Sequence, residues 1–192
     1  MSTPTIITIA VVAVVLVLAI IIVCWGIGAR NGLVRLKNKM EEAFSTIDVY
    51  LKKRYDLIPN LVEVVKGYAK HESQTLENVV KARNNAVNAN TTTEKIEADA
   101  QLTNAIKSLN FVVEAYPDLK ANATFLDLSS QLKQIESQLA EQRKYYNAVV
   151  RTYNTSREVF PKSIIAKMMH LEKAIYFQLD SDEERKNVKV QF

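Results

Sequence analysis

Two patterns of apolar residues divide this chain. From Ile6 to Ile27 the sequence reads IITIAVVAVVLVLAIIIVCWGI, apolar on every side and without a charged side chain. About 22 residues at about 1.5 Å rise give about 33 Å of helix, the thickness of a bilayer's hydrocarbon core. From Leu33 onward the pattern becomes a stripe: Leu33, Leu36, Met40, Phe44, Ile47, Leu51, Tyr55, Ile58, Val62, Val65 and Ala69 follow in steps of three and four. That period is the amphipathic helix's. The stripe keeps its phase across Pro59, so the pattern predicts one long helix, kinked near Tyr55 to Pro59 and continuing to about Asn88.

Asn88 to Thr93 (NANTTT) predicts a loop, with Thr91 and Glu94 spaced as a capping box for the next helix. That helix buries Ile96, Leu102, Ile106, Leu109 and Val113 and stops before Pro117. A third starts near Asn122 on Phe125, Leu128, Leu132, Ile135, Leu139, Tyr146, Val149 and Tyr153, with a polar break at Gln142 or Arg143. Pro161 opens a last short helix whose inner side is Ile164, Ile165, Met168, Leu171, Ile175 and Phe177. The fold class is all-α: an N-terminal transmembrane helix followed by an antiparallel bundle of long helices. The expected divisions are an extracytoplasmic N-terminus over 1–5, the span over 6–27, a joint over 28–32, the bundle over 33–177 and a tail over 178–192. The joint is placed where Gly26, Gly28 and Gly32 cluster, because glycine weakens a helix interior by about 1 kcal/mol.

Charge sets the expected orientation. Every Lys, Arg, Asp and Glu lies at or after Arg30, and Arg30, Arg35, Lys37 and Lys39 follow the span closely. Basic flanks stay in the cytoplasm, which puts the N-terminus outside and the domain inside. A cleaved signal peptide would want a basic start that Met1 to Thr5 lacks. A lipoprotein site at Cys24 would want a small residue where Val23 stands. Trp25 suits the headgroup level. The net charge of +4 is small and dispersed, which suits weak attraction to membrane lipid and argues against nucleic acid as a partner.

Chemistry is sparse. His71-Glu72 begins like a zinc-protease motif, but position 75 is Thr, and His170 is the only other histidine. Cys24 lies in the span and excludes an intrachain disulfide. No glycine-rich phosphate loop is present. The reading is no catalytic residue, no metal ligand and no cofactor. Lys52, Lys53 and Arg54 form the strongest basic run; with Leu33, Leu36, Met40 and Phe44 they make the candidate interaction surface. Arg143, Asn147 and Asn154 interrupt the third helix's seam. A buried Arg143 needs a carboxylate, which Asp48 or Asp56 of the first helix is expected to supply, giving a candidate buried polar network of Asp48, Asp56, Arg143, Asn147 and Asn154.

The run IDVYLKKRYDLIPNLVEVVKGYAKHE (Ile47 to Glu72) closely resembles the signature of the LemA family of bacterial membrane proteins. YPDLKAN (Tyr116 to Asn122), the R-x-x-YN-x-x-V-x-x-YN pattern (Arg143 to Asn154), Phe160-Pro161, Tyr176-Phe177 and the closing VKVQF extend the likeness, with Tyr50 a departure where Gln is expected. The resemblance implies a single N-terminal span, a cytoplasmic helical bundle and no established catalytic activity. A related magnetosome membrane protein implies a role in organising membrane compartments. The expected function is therefore a non-enzymatic membrane scaffold or adaptor, self-associating as a homo-oligomer or binding other membrane proteins. The competing class is a hydrolase or metal-dependent enzyme, which would show a concave pocket with convergent polar groups.

Overall fold

The computed structural model describes residues 3–177. The expected tail over 178–192, and Met1 and Ser2 of the expected N-terminal segment, lie outside the described residues.

Six helices follow in order: α1 (Thr3–Tyr68), α2 (Ser73–Asn88), α3 (Thr92–Glu114), α4 (Pro117–Lys120), α5 (Ala123–Glu158) and α6 (Lys162–Met168). No strand occurs among the described residues. The chain divides into two compact units. Of the described residues, one comprises those up to Glu41 with Ala148–Ala174, and the other comprises Glu42–Asn147 with residues 175–177.

The second unit is a bundle whose directions can be read from side-chain pairs. Arg83 of α2 donates to the Tyr55 carbonyl at 3.3 Å, so α2 folds back along α1. Lys95 reaches Asp48 and Arg54 reaches Asp99 and Thr103, so α3 runs parallel to α1. Asn122 meets Tyr68, Glu136 meets Arg54, and Tyr146 meets Phe44. Each step up α1 is thus matched by an equal step down α5. Up, down, up, down is the topology that short connections give. Ile47, Leu51, Ile58 and Val65 of α1 have no exposed surface, and Val79, Leu102, Leu109 and Leu139 complete the core.

The loops follow local chemistry. Thr91 accepts the Glu94 N–H while the Glu94 carboxylate accepts the Thr91 N–H, completing the capping box. Asn122 Oδ1 accepts the Phe125 N–H at 2.9 Å, capping α5. Between them, Pro117 opens the single turn of α4, which buries Leu119 completely.

Three expectations are corrected. The helix does not continue to Asn88: it ends at Tyr68, and the chain turns at residues 69–72 before α2. Gly67 weakens the last turn, and reversal lets α2 bury Leu76, Val79, Ala82 and Ala86. Pro59 lies inside α1, as the stripe's phase requires. The glycine joint is also absent, because Gly26, Gly28 and Gly32 all lie within α1. Propensity is a weak prior that packing overrides, and Ala29 and Leu33 are anchored in the first unit's core at this level. The last helix, finally, is only Lys162–Met168. His170 (φ 50°) ends it, with Leu171 N–H donating to Ala166 O and His170 N–H to Lys167 O, the Schellman pattern. The chain then runs without helix to Phe177. The inner side shifts accordingly: Ala166 and Phe177 are buried, whereas Ile164, Met168 and Ile175 are exposed.

From Ile9 to Ile27 the large apolar side chains of α1 are exposed on all sides, and among the described residues α1 is the one helix long and apolar enough to cross a membrane.

Candidate functional site

The second unit's most polar interior feature is a charge cluster shared by three helices. Arg54 is only 1% exposed. Its Nη1 donates to Asp99 Oδ1 at 2.8 Å and to Thr103 Oγ1 at 3.0 Å, and its Nη2 donates to Glu136 Oε1 at 3.0 Å. Arg143 of α5 donates to the other Asp99 oxygen. Asp99, with no exposed surface, thus stands between two guanidiniums. A buried carboxylate is tolerated only when paired and hydrogen-bonded. Beside the cluster lies a cavity of about 280 Å³, bordered by Arg54, Thr103, Lys107, Asn110, Glu136 and Arg143. Arg54 Nε and the Tyr55 hydroxyl are buried without a hydrogen-bond partner. Burial, reinforced by the nearby Asp99 charge, holds the Tyr55 phenol well above its ordinary value.

Two of the expected site residues act elsewhere, as clamps on the segment after α6. Asn147 Nδ2 donates to the Phe177 carbonyl and its Oδ1 accepts the Phe177 N–H, both at 2.8 Å. Asn154 makes the same reciprocal pair with Ala174, both bonds at 2.9 Å. The tyrosine before each asparagine adds a hydroxyl: Tyr146 to the Ile175 carbonyl, Tyr153 to the Glu172 carbonyl, both at 3.1 Å. Burial raises both phenols. The spacing has a simple cause. Seven helical residues rise about 10.5 Å, and three extended residues span about 10 Å, so a YN pair repeated at seven meets every third residue of a segment running the other way. Arg157 continues the series on the Leu171 carbonyl at 2.9 Å.

The remaining expected residues are placed as follows. Leu33 is buried at 1% exposure, and Leu36, Met40 and Phe44 are half-buried. Residues 148–174 share the first unit with α1 up to Glu41, where Leu33 is covered and Leu36 and Met40 are partly covered. Phe44 meets Tyr146 edge-on at 5.6 Å. The basic run splits, because Lys52 and Lys53 are exposed while Arg54 turns inward. Asp48 is half-buried and pairs with Lys95 at 2.6 Å, and Asp56 is exposed. Neither supplies the carboxylate of Arg143; Asp99 does, because α3 and not the outer face of α1 lies opposite α5 at that level.

Sequence reading missed Asp99, Thr103 and Glu136. A signal was present: positions 96, 99, 102, 103 and 106 share one helical face, so Asp99 and Thr103 are polar members of an apolar stripe. The surface grooves were not foreseen either. One, about 520 Å³, lies between α1 and α2, with Val62, Leu76 and Val80 among its apolar lining and Lys66, Lys70, Lys81 and Glu77 among its charges. Another, about 440 Å³, is bordered by Val49, Lys52, Tyr55, Arg83, Val87 and Lys95. Among the described residues no group of three or more His, Cys, Asp or Glu could hold a metal ion.

The LemA family model matches residues 43–192, most of the chain after the apolar segment. The chain belongs to the LemA family. The LemA protein of Metamycoplasma hominis is 28% identical over 163 residues, covering 84% of this chain and 74% of that protein. Magnetosome protein MamQ 2 of Paramagnetospirillum magneticum is 33% identical over 81 residues, 42% of this chain and 30% of its own length. Magnetosome protein MamQ of Magnetospirillum gryphiswaldense is 29% identical over 80 residues, 42% of this chain and 29% of its own. The LemA motifs now have physical roles. R-x-x-YN-x-x-V-x-x-YN contributes Arg143 to the charge cluster and the two YN clamps, and the asparagine of YPDLKAN caps α5.

Proposed function

We propose that this LemA-family chain is a single-pass membrane protein whose helical bundle acts, without catalysing a reaction, as a scaffold or adaptor for other membrane proteins or for copies of itself. The observation that carries this reading is α1 itself, one unbroken helix from an all-round apolar, exposed segment into the core of the bundle. Such a segment suits lipid as its surroundings, and the basic residues Arg30, Arg35, Lys37 and Lys39 favour a cytoplasmic bundle.

The charge cluster favours a structural role over a catalytic one. A hydrolase would present an acid, base or nucleophile toward a pocket, whereas here Arg54, Asp99, Arg143 and Glu136 neutralise one another. Binding is better served by the grooves beside α2, which combine exposed Val49, Val80 and Val87 with an excess of lysine and arginine. Apolar surface rimmed by one sign of charge suits an acidic protein segment. Relatives named for the magnetosome fit a role in organising a membrane compartment.

The test is photocrosslinking in native membranes from single positions 49, 80 and 87, with Leu126 as a comparison. Protein adducts from the groove positions, reduced by Lys66→Glu with Lys81→Glu, are expected. Lipid adducts alone, or equal yields from position 126, would overturn the reading.

A further inference from the structure

Within the first unit, α6 stands beside the end of the apolar span. A Cβ placed on Gly26 would lie 4.0 Å from Ile165 Cδ1, and Gly26 is one residue from the end of the span read as Ile6 to Ile27. Ala166, the next residue, is buried at 1%. The inner side of α6 therefore packs at the depth where the span leaves the hydrocarbon.

The outer side of the same corner is apolar and bare. Val159, Phe160, Ile164 and Met168 are all more than half exposed, with Phe160 at 77% and Met168 at 71%. Four large apolar side chains within ten residues form a concentrated exposed patch that calls for a cover. The position names the cover. A corner fixed at the span's exit meets the headgroup and upper acyl region of the same leaflet, where interfacial apolar groups embed about 5–10 Å deep. Lys162 and Lys167, both exposed, stand on the same short helix, and their long stems can lie along the apolar surface while the ammonium groups reach lipid phosphates.

We infer that the α5–α6 corner is a second membrane contact: Val159, Phe160, Ile164 and Met168 insert into the interface beside the span, and Lys162 and Lys167 engage anionic headgroups. The inference rests on the reading of α1 as a span. It gives Phe160 an interfacial role and gives the first unit a two-point attachment that fixes its rotation about α1 as well as its depth.

The chain's single tryptophan makes the test clean. The full-length protein is reconstituted in vesicles of phosphatidylcholine and phosphatidylglycerol, with bromine at either shallow or deep acyl positions. In the native chain, loss of Trp25 emission to brominated lipid tests the span. In a Trp25→Phe background, Phe160→Trp and, as a second reporter, Met168→Trp test the corner. Both should lose emission, more to shallow than to deep bromine, and lose less when phosphatidylglycerol is omitted or when Lys162→Gln and Lys167→Gln are added. Trp25 quenched with both corner reporters unquenched would overturn the inference and leave the span standing. Trp25 unquenched would remove the span, and the inference with it.

Discussion

Asp99 has two guanidiniums to neutralise, and the two sides of that arrangement are not equivalent. Removing Arg54 leaves Asp99 paired with Arg143; removing Asp99 takes from both guanidiniums the carboxylate they share. Breaking a buried pair from one side costs about 3–5 kcal/mol. Asp99→Ala should therefore reach or exceed that range in chemical unfolding, and Arg54→Met should cost less. Equal losses would contradict the shared-carboxylate geometry. Tyr55 points the opposite way. Its hydroxyl is buried without a partner, and an unmade hydrogen bond of that kind costs about 1–3 kcal/mol, so Tyr55→Phe should raise stability. The sign of the pH effect follows from its raised pKa: the folded state keeps the proton above the ordinary value near 10 while the unfolded chain loses it. Stability is then fully present below pH 10 and declines above it, with a shallower decline in Tyr55→Phe. Glu94 acts at the acid end. Hydrogen bonds from the Asn90 and Thr91 backbone lower its pKa, so its cap is lost as pH falls below the carboxylate range and Glu94→Gln should blunt that loss. At this scale the sequence was half legible. That Arg143 would be buried and need a carboxylate followed from its place in an apolar seam. Which carboxylate did not, because the choice depends on helix register across the bundle. Arg54 looks like surface beside Lys52 and Lys53, although position 54 lies beside the stripe residues Leu51, Tyr55 and Ile58.

Among the elements, helix periodicity was legible wherever a stripe was long, and helix ends were legible only where a cap spelled them out. The Thr91 and Glu94 box placed the start of α3, whereas the turn at 69–72 follows from the gain of packing α2 on α1, a tertiary cause invisible in a stripe that runs on to Ala69. The glycines at 26, 28 and 32 read as a joint by propensity, yet the helix passes through them. Nothing lies within 4 Å of a Cβ added at Gly28 or Gly32. Gly28→Ala and Gly32→Ala should each raise the stability of detergent-solubilised protein by up to about 1 kcal/mol; loss of stability would restore the joint. The clamped segment is the other case. Its residues look helical because Leu171 and Ile175 continue the spacing of Ile164 and Met168 in α6, but the YN repeat of α5 holds residues 172–177 out of the helix. Asn154→Asp keeps the acceptor for the Ala174 N–H and loses the donor to the Ala174 carbonyl. A loss of about 1–3 kcal/mol is expected, with faster amide exchange at residues 171–177. Unchanged exchange there would remove the clamp from the account.

In the whole molecule, an apolar half-helix continues into helices whose buried charges neutralise one another, with grooves in the second unit and an apolar corner in the first left exposed. The basic residues after the span predict a sidedness: protease added to intact cells should leave the bundle uncut, and lysis should expose it. Membrane anchoring by α1 is the premise on which scaffold, sidedness and corner all depend. Sedimentation of native membranes after alkaline carbonate extraction tests it most directly, because carbonate strips peripheral proteins and spares spanning ones. The full-length chain should remain in the pellet, and a variant with Val15→Lys and Leu18→Lys, two charges near the centre of the apolar run at about 2.5–3.5 kcal/mol each, should shift to the supernatant. Release of the unmodified chain by carbonate would contradict the account.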